Sequence, residues 1–420
     1  MDRLLIRGGR RIEGSVQIRG AKNAALPQIA AALLGSGRLE LTNVPEVTDV
    51  DTMLALMQEF GVVATRGTGR TLVLDASGAR SAQAPYDMVR RMRASILVLA
   101  PLLARFGSAR VSMPGGCAIG ARPIDLHLKA LDALGAEVNI ESGYINARAK
   151  EGGLRGGRVV LSSPSIGATE TALMAATLAR GETEILNAAR VPEVSDLVLT
   201  LAAMGARIAG EGTHRILVQG VEALHNARHD LITDRIEAGT YAIAAAITGG
   251  HLEILGAHLE HLGSVGAILE SAGVQIWPSD RGLMVVRSGP LQGIDITTEP
   301  YPGFPTDLQA QFMALMTIAS GASVVRETIY ESRFMHVPEL NRLGANIALQ
   351  GSTALVRGVE KLHGAEVMAT DLRASVSLVL AALVAEGETT VHRIYHLDRG
   401  YEALDRKLVQ CGADIQRVAG

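Results

Sequence analysis

The stretch IDLHLKALDALGAEVNI, residues 124–140, shows the pattern of helix, turn and strand on which the predicted fold is based. Its leucines fall on one face of a predicted helix, while Asp125, His127, Lys129 and Asp132 fall on the opposite face. Gly135 ends this helix, because glycine readily adopts the left-handed conformation common at helix C-termini. A short strand over residues 137–140 follows. The stretch therefore predicts an amphipathic helix, a glycine turn and a strand.

This pattern recurs six times along the 420 residues. Glycines between an amphipathic helix and a strand stand 68 to 74 residues apart, at Gly61, Gly135, Gly205, Gly273, Gly344 and Gly412. A second series, which follows a nearly all-apolar helix, is spaced by 66 to 74 residues, at Gly37, Gly107, Gly181, Gly249, Gly321 and Gly387. Two independent landmarks with one period indicate six copies of a unit of about 70 residues.

The apolar helix of each unit indicates how the units pack. These helices are predicted over residues 24–34, 96–104, 171–179, 241–248, 309–319 and 375–385. A helix that is apolar on every side is buried, and alternating helices and strands are typical of the α/β class. We therefore expect an α/β fold with the apolar helices inside and the sheets and amphipathic helices outside.

Six units divide naturally into two domains of three. The predicted first domain spans residues 22–230 and carries the Cys117 loop. Residues 4–7 and 15–18 read as strands without a unit of their own, so we expect them to complete the last unit. The predicted second domain is therefore discontinuous, with residues 1–21 and 231–420.

Composition excludes several classes of function. The formal net charge of −3 argues against a nucleic-acid partner or an anionic membrane partner. Two cysteines without a Cys-x-x-Cys pair argue against a disulfide framework and a cysteine-rich zinc site, and they suit a reducing cytoplasm. No apolar run reaches the roughly 18 residues of a membrane span, and the eleven histidines lack metal-ligand spacing. We expect no metal.

The segment SMPGGCAIGARP, residues 112–123, is the strongest candidate for chemistry. Its glycines and prolines predict a loop, which carries a lone thiol, Cys117, five residues before Arg122. A neighbouring guanidinium favours the thiolate, so this thiol is suited to act as a nucleophile or an acid. The alternative is a small apolar residue in a tight turn.

Charged residues also stand at the heads of the apolar helices, where burial would be costly unless they face an opening. They are Lys22 with Asn23, Arg93, Glu237, Asp307, Asp371 and Arg373. The helix dipole disfavours cations at this end, so Lys22, Arg93 and Arg373 make sense if an anion binds between them. We expect an anion site in a cleft between the two domains. For Asp307, an ordinary helix cap is the alternative.

In its sequence motifs the chain resembles a known family, the UDP-N-acetylglucosamine 1-carboxyvinyltransferases, over its whole length. The matching segments are GAKNAALP (20–27), MRASI (92–96), PGGCAIGARP (114–123), FPTD (304–307), RFMHVPE (333–339), ATDLRA (369–374) and HLDRGYE (396–402). The resemblance implies two inside-out α/β domains of three units each, with the active site between them. It also implies transfer of the enolpyruvyl group of phosphoenolpyruvate to the 3-hydroxyl of UDP-N-acetylglucosamine, with release of phosphate and without a cofactor.

The resemblance implies a role for each candidate residue. Cys117 corresponds to the proton donor to the methylene carbon, which can also form a covalent adduct, and Asp307 to the base on the sugar hydroxyl. Lys22, Arg122 and Arg399 correspond to the phosphoenolpyruvate clamp. The other implied substrate contacts are Asn23, Arg93, Pro123, Ile124, Asp125, Leu126, Ser163, Ser165, Ile166, Gly167, Ile329, Asp371 and Arg373. At Ser163-Pro164 the chain departs from members that carry lysine there.

The implied setting is cytoplasmic peptidoglycan precursor synthesis, and hence cell-wall biogenesis, cell shape and cell division. Two other interpretations remain. A shikimate-pathway enolpyruvyl transferase has the same fold and donor but lacks the Gly-Gly-Cys loop. A non-catalytic sensor of nucleotide sugars could lose Cys117, Asp307 or an arginine, yet all of them are present here.

Overall fold

The computed structural model describes residues 2–80, 83–114 and 124–420. The α-helices in these ranges are α1 (Lys22–Ala31), α2 (Thr48–Glu59), α3 (Tyr86–Val89), α4 (Leu99–Phe106), α5 (Asp125–Ala133), α6 (Ile166–Thr177), α7 (Pro192–Ala203), α8 (Arg235–Thr248), α9 (Val265–Ser271), α10 (Gln309–Met316), α11 (Val337–Arg342), α12 (Ala374–Ala382) and α13 (Leu404–Gln410). None of the helices in the described ranges combines the length and the apolar character needed to cross a bilayer.

The strands of the same ranges are short, with two to six residues each. They are β1 (Arg3–Arg7), β2 (Glu13–Gln17), β3 (Arg38–Thr42), β4 (Val63–Arg66), β5 (Leu72–Asp75), β6 (Gln83–Ala84), β7 (Ser108–Ser112), β8 (Ala136–Glu141), β9 (Tyr144–Ala149), β10 (Arg158–Val160), β11 (Glu182–Leu186), β12 (Arg207–Ala209), β13 (Arg215–Gln219), β14 (Ala227–Asp230), β15 (His251–Leu255), β16 (Gln275–Ser279), β17 (Gly282–Val286), β18 (Ile296–Thr297), β19 (Ala322–Arg326), β20 (Asn346–Gln350), β21 (Thr353–Arg357), β22 (Glu366–Met368), β23 (Glu388–His392) and β24 (Asp414–Val418).

The apolar helices are buried, as the sequence predicts. Every residue of α12 is buried, and so is every residue of α8 except the last. Two of the six begin as a 3-10 turn rather than as regular helix, at Arg93–Val98 before α4 and at Thr306–Leu308 before α10. The hydrophobic core of each repeat is therefore built around its apolar helix. This confirms the predicted arrangement with the apolar helices inside and the sheets outside.

The amphipathic helices α2, α5, α7, α9, α11 and α13 all end in the same way. Each is followed by one capping residue and then by a landmark glycine, whose φ lies between 83° and 107° in all six cases. Glycine adopts this left-handed conformation without the steric cost that a Cβ imposes. A sequence signal of one residue therefore marks the end of every amphipathic helix.

In the described parts of the chain, six four-stranded sheets cover the helices. In each sheet one strand pair is parallel and two are antiparallel. Three of the parallel pairs join neighbouring repeats within residues 20–232, namely β6 with β7, β10 with β11 and β14 with β3. Because β14 returns to the sheet of the first repeat, the three repeats form a closed ring of sheets.

The remaining residues form a second ring, which needs the N-terminal segment for closure. β1 lies between β23 and β24 in the sheet of the sixth repeat, as the sequence predicts. β2 instead pairs in parallel with β15 of the fourth repeat, so the prediction that both N-terminal strands complete the last repeat is wrong for the second strand. The two strands are adjacent in sequence but belong to sheets of different repeats, and they link the ends of the ring.

By their contacts, the described residues at 20–232 form one compact structural unit, which contains the first three repeats. Those at 2–19 and 233–420 form another, which contains the last three. The sequence predicts the changes after residues 21 and 230. The observed changes, after residues 19 and 232, each lie two residues from the predicted ones. Backbone hydrogen bonds explain this difference, since the amide of Ala21 donates to the carbonyl of Ile232 (2.7 Å) and the amide of Asp234 donates to the carbonyl of Arg19 (2.8 Å). The chain segments around residues 19–21 and 232–234 therefore lie side by side where the chain passes from one unit to the other.

Candidate functional site

In the unit that contains residues 233–420, the heads of the buried helices carry a cluster of charged side chains. Asp307 lies in the turn before α10, and its Oδ1 is 2.8 Å from Nη1 of Arg333. Its Oδ2 lies 3.7 Å from Nε of Arg373. The carboxylate is 26% exposed, whereas the two arginine side chains are only 5% and 3% exposed. Two buried cations therefore hold an ionised and accessible carboxylate in a defined orientation.

Arg373 is the residue that precedes α12, and its guanidinium lies 5.2 Å from the ring centre of Tyr401. Burial alone would lower the pKa of this arginine, but the charges of Tyr401, Asp307 and Asp234 raise it above its ordinary value. Its Nη1 and Nη2 are buried and make no well-aligned hydrogen bond to a described residue, although the Tyr401 hydroxyl is close enough to contribute to the raised pKa. Buried donors without acceptors are costly, so this guanidinium is well suited to receive an anion.

Asp371 has a local structural role. Its Oδ1 accepts hydrogen bonds from the amides of Arg373 (2.8 Å) and Ala374 (2.9 Å) at the start of α12. This is the bonding of a helix cap, and it also orients the backbone at Arg373. A direct contact between Asp371 and substrate stays a prediction.

Arg399 ends the 3-10 turn Ile394–Arg399 and is half-buried. His396, in the same turn, has a lowered pKa because it is partly buried and because Arg399 lies nearby. The same unit thus contributes Asp307 from the fifth repeat and both Arg373 and Arg399 from the sixth.

In the unit of residues 20–232, Lys22 is the first residue of α1 and is buried. Its Nζ lies 3.1 Å from Oδ2 of Asp49 on α2, an ion pair that the sequence did not suggest. Asn23 follows Lys22 and is half-buried. Arg93 begins the 3-10 turn before α4 and is also half-buried. Lys22 and Arg93, the two cations predicted in this unit, therefore both lie at the N-terminal ends of helices.

The predicted nucleotide-sugar contacts of this unit lie around the start of α6. The hydroxyl of Ser165 caps this helix by accepting from the amide of Ala168 at 3.3 Å. Gly167 packs so closely against the ring of His127 that an added Cβ would lie 2.8 Å from it. Ser163 and Ile166 are exposed and thus accessible to a ligand.

Three further predicted contacts lie at the start of α5. Ile124 is buried, Leu126 is half-buried, and exposed Asp125 pairs with Lys129 at 3.5 Å. Cys117, Arg122 and Pro123 lie outside the described residues, and their roles stay predictions.

Two residues near Asp307 received no role from the sequence. Arg333 belongs to the motif RFMHVPE, but the motif alone does not indicate its partner. Glu327 follows β19, and strand alternation places it on the same buried face as Ser323 and Val325. A carboxylate on a buried face is uncommon, so this alternation is a signal from which Glu327 could have been found.

Comparison with known proteins identifies the fold. The chain is 28% identical to the enolpyruvyl transferase NikO from Streptomyces tendae, with a TM-score of 0.89, and the match covers 99% of this chain and 98% of that one. It also matches an EPSP synthase from Acinetobacter baumannii at a TM-score of 0.76 and 18% identity, with full coverage of both chains. The fold is therefore that of the enolpyruvyl transferases.

The sequence comparisons are more specific. Residues 6–408 match the family model of EPSP synthase (3-phosphoshikimate 1-carboxyvinyltransferase). Over the full length of both proteins, the chain is 69% identical to UDP-N-acetylglucosamine 1-carboxyvinyltransferase 2 of Mesorhizobium japonicum. It is 59% identical to the UDP-N-acetylglucosamine 1-carboxyvinyltransferase of Gluconacetobacter diazotrophicus, again over both full lengths. The chain belongs to the enolpyruvyl transferase family and, within it, to the UDP-N-acetylglucosamine 1-carboxyvinyltransferases.

Proposed function

We propose that this enzyme transfers the enolpyruvyl group of phosphoenolpyruvate to the 3-hydroxyl of UDP-N-acetylglucosamine and releases phosphate. The observation that carries the proposal is the carboxylate of Asp307, held between the buried guanidiniums of Arg333 and Arg373 at the head of α10. It stands in a chain that is 69% identical to a UDP-N-acetylglucosamine 1-carboxyvinyltransferase.

In the proposed addition step, Asp307 accepts the proton of the 3-hydroxyl as its oxygen attacks C2 of phosphoenolpyruvate. Cys117 donates a proton to C3, which becomes a methyl group, so the adduct carries both the sugar oxygen and the phosphate on C2. Elimination then breaks the bond between C2 and the phosphate oxygen and removes a proton from the methyl group, which restores the double bond. General acid and base groups commonly contribute 10²- to 10⁴-fold to such steps.

The cations suit the donor substrate. Phosphoenolpyruvate carries a phosphate and a carboxylate, and arginine forks bind such groups in a bidentate way. In the proposal Lys22, Arg122 and Arg399 clamp it, and Arg93 and Arg373 lie nearby. The buried guanidinium of Arg373 supports this assignment, because its Nη1 and Nη2 make no well-aligned hydrogen bond to a described residue.

The nucleotide sugar is assigned to the segments at the heads of α5 and α6, together with Ile329. The proposed contacts are Asn23, Arg122, Pro123, Ile124, Asp125, Leu126, Ser163, Ser165, Ile166, Gly167, Asp307, Ile329 and Asp371. Exclusion of water from the reacting atoms would strengthen the charge interactions on which the proposed reaction relies.

The proposed cellular role is the first committed step of peptidoglycan precursor synthesis in the cytoplasm, without cofactor or metal. It would link the enzyme to cell-wall biogenesis, cell shape and division.

A turnover assay tests the function directly. Purified protein is mixed with phosphoenolpyruvate, and phosphate release is followed with UDP-N-acetylglucosamine, with shikimate 3-phosphate, or with no acceptor. We expect release only with the nucleotide sugar. Release with shikimate 3-phosphate would favour the shikimate-pathway activity. Binding of the nucleotide sugar without phosphate release would favour a sensor.

A further inference from the structure

Glu327 is a buried carboxylate close to the proposed base. It directly follows β19 and is 1% exposed. A carboxylate in such a position is unfavourable unless hydrogen bonds replace the water that it loses. Its partners therefore indicate what this residue does in the fold.

Four hydrogen bonds satisfy the Glu327 carboxylate. Oε1 accepts from the hydroxyl of Thr298 (2.8 Å) and from the amides of Ile329 (2.8 Å) and Tyr330 (3.0 Å). Oε2 accepts from the hydroxyl of Thr306 at 2.9 Å. One side chain thus joins the segment of Ile329, a proposed sugar contact, to the turn that carries Asp307.

The Thr306 hydroxyl has a defined direction in this network. An ionised carboxylate can only accept hydrogen bonds and a guanidinium can only donate them. Thr306 must therefore donate to Glu327 and accept from Nη1 of Arg333, which lies 2.9 Å away. The same Nη1 is 2.8 Å from Oδ1 of Asp307. Glu327 is thus connected to Asp307 through a hydroxyl and a guanidinium whose donors and acceptors are all specified.

We propose that Glu327 is a positioning residue for the proposed reaction, acting in two directions. Through the amides of Ile329 and Tyr330 it positions the segment that contacts the sugar nucleotide. Through Thr306 and Arg333 it positions the carboxylate of Asp307. The inference rests on the proposed function, since it assigns Ile329 to the acceptor and Asp307 to its hydroxyl.

The two directions can be separated by mutation. Glu327→Gln keeps the shape but replaces one acceptor oxygen with a donor, so it cannot satisfy all four partners. We expect kcat to fall roughly 10- to 100-fold, since small misplacements of reacting groups can cost about 10²-fold. We also expect weaker binding of UDP-N-acetylglucosamine. Thr306→Val removes the hydroxyl that joins Oε2 of Glu327 to Arg333 and leaves the bonds of Oε1 to the amides of Ile329 and Tyr330 in place. We therefore expect kcat to fall while the affinity for the nucleotide sugar stays within about twofold of wild type.

Two further variants serve as comparisons. Thr306→Ser restores the hydroxyl and should recover most of the kcat that Thr306→Val loses. Thr317 is buried at the far end of α10, where its hydroxyl donates to the carbonyl of Ala314 at 2.6 Å. Thr317→Val therefore removes a buried hydroxyl bond of the same helix away from Asp307. It should lower thermal stability and leave kcat unchanged.

The measurements are phosphate-release kinetics for kcat and KM, calorimetric affinity for UDP-N-acetylglucosamine, and thermal unfolding of each full-length variant. The proposal is overturned if Glu327→Gln and Thr306→Val behave like Thr317→Val, with lower stability but unchanged kcat and affinity. If Glu327→Gln does not fold, the Thr306→Val and Thr306→Ser pair decides: equal kcat for the two overturns the proposal. Wild-type protein that releases no phosphate would instead overturn the proposed function, and this inference with it.

Discussion

Replacing Asp307 with asparagine should lower both stability and turnover, by amounts that can be measured separately. The side chain keeps its shape, but the negative charge between Arg333 and Arg373 is lost. The charged atoms of those arginines lie 2.8 Å and 3.7 Å from the carboxylate, and both side chains are at least 95% buried. The variant therefore keeps two desolvated cations and removes the anion between them.

The expected loss of stability follows from this burial. Breaking a fully buried ion pair costs about 3–5 kcal/mol. Because Asp307 is 26% exposed, solvent screens part of the interaction, and we expect about 2–3 kcal/mol. For a unit of about 200 residues, each kcal/mol lowers Tm by roughly 2–4 °C, so Tm should fall by about 4–12 °C.

The expected loss of turnover has a different cause. An amide is a very poor proton acceptor, so the base contribution of roughly 10²- to 10⁴-fold should disappear from kcat. Binding of UDP-N-acetylglucosamine should remain measurable by calorimetry. Phosphate release is followed at 25 °C, where the variant is still folded, and thermal unfolding is recorded in the same buffer.

Asp75→Asn is a matched control. Asp75 is also 26% exposed and pairs with an arginine at 3.0 Å, but this partner, Arg38, is 69% exposed. We expect unchanged kcat for this control and a smaller change in Tm than for Asp307→Asn. A kcat of Asp307→Asn within about twofold of wild type would refute the assignment of the base, since the expected loss is at least about 10²-fold. Equal changes in Tm for the two variants would refute the reasoning from buried arginines.

Three further predictions concern the thiol, the clamp and a buried histidine. Cys117→Ser should fold normally but lose most phosphate release, whereas Cys117→Asp should stay active and resist alkylation by an epoxide phosphonate, as seen by mass spectrometry. Arg399→Ala should weaken the phosphoenolpyruvate-dependent step by at least about tenfold, because removing one partner of a desolvated charge pair commonly costs about 2–5 kcal/mol, and should affect calorimetric binding of the nucleotide sugar less. Burial and the charge of Arg333 lower the pKa of His336 to about 4 although Asp371 opposes the shift. The unfolded chain therefore binds the extra proton first, so acidification from pH 6.5 to 4 should reduce the free energy of unfolding by about 3 kcal/mol, and His336→Leu should lessen this dependence in urea titrations.

Each of these predictions has a result that contradicts it. Full turnover by Cys117→Ser would remove the general-acid role. Equal losses of both substrates in Arg399→Ala would argue against a clamp specific for phosphoenolpyruvate. Identical acid dependence of His336→Leu and wild type would show that other groups cause the loss of stability below pH 6.5.

The sequence alone determined the repeat and its local structure. The positions of the buried helices and of the glycines after the amphipathic helices follow from hydrophobic periodicity and from the left-handed conformation that glycine tolerates. These signals are local, since each depends on residues within a few turns of one another. The same locality placed Lys22, Arg93 and Asp307 at helix heads.

Which distant elements meet is a property of the tertiary packing. β1 and β2 look alike as sequence, yet one joins the sheet of the sixth repeat and the other that of the fourth, because the packing of the repeats sets which strand lies beside each of them. The pairing of Lys22 with Asp49, and the connection of Glu327 to Asp307, join residues far apart in the pattern. A short strand or a single charged side chain can pair with many partners. Which pairing forms depends on the partner that the packing of the core brings beside it.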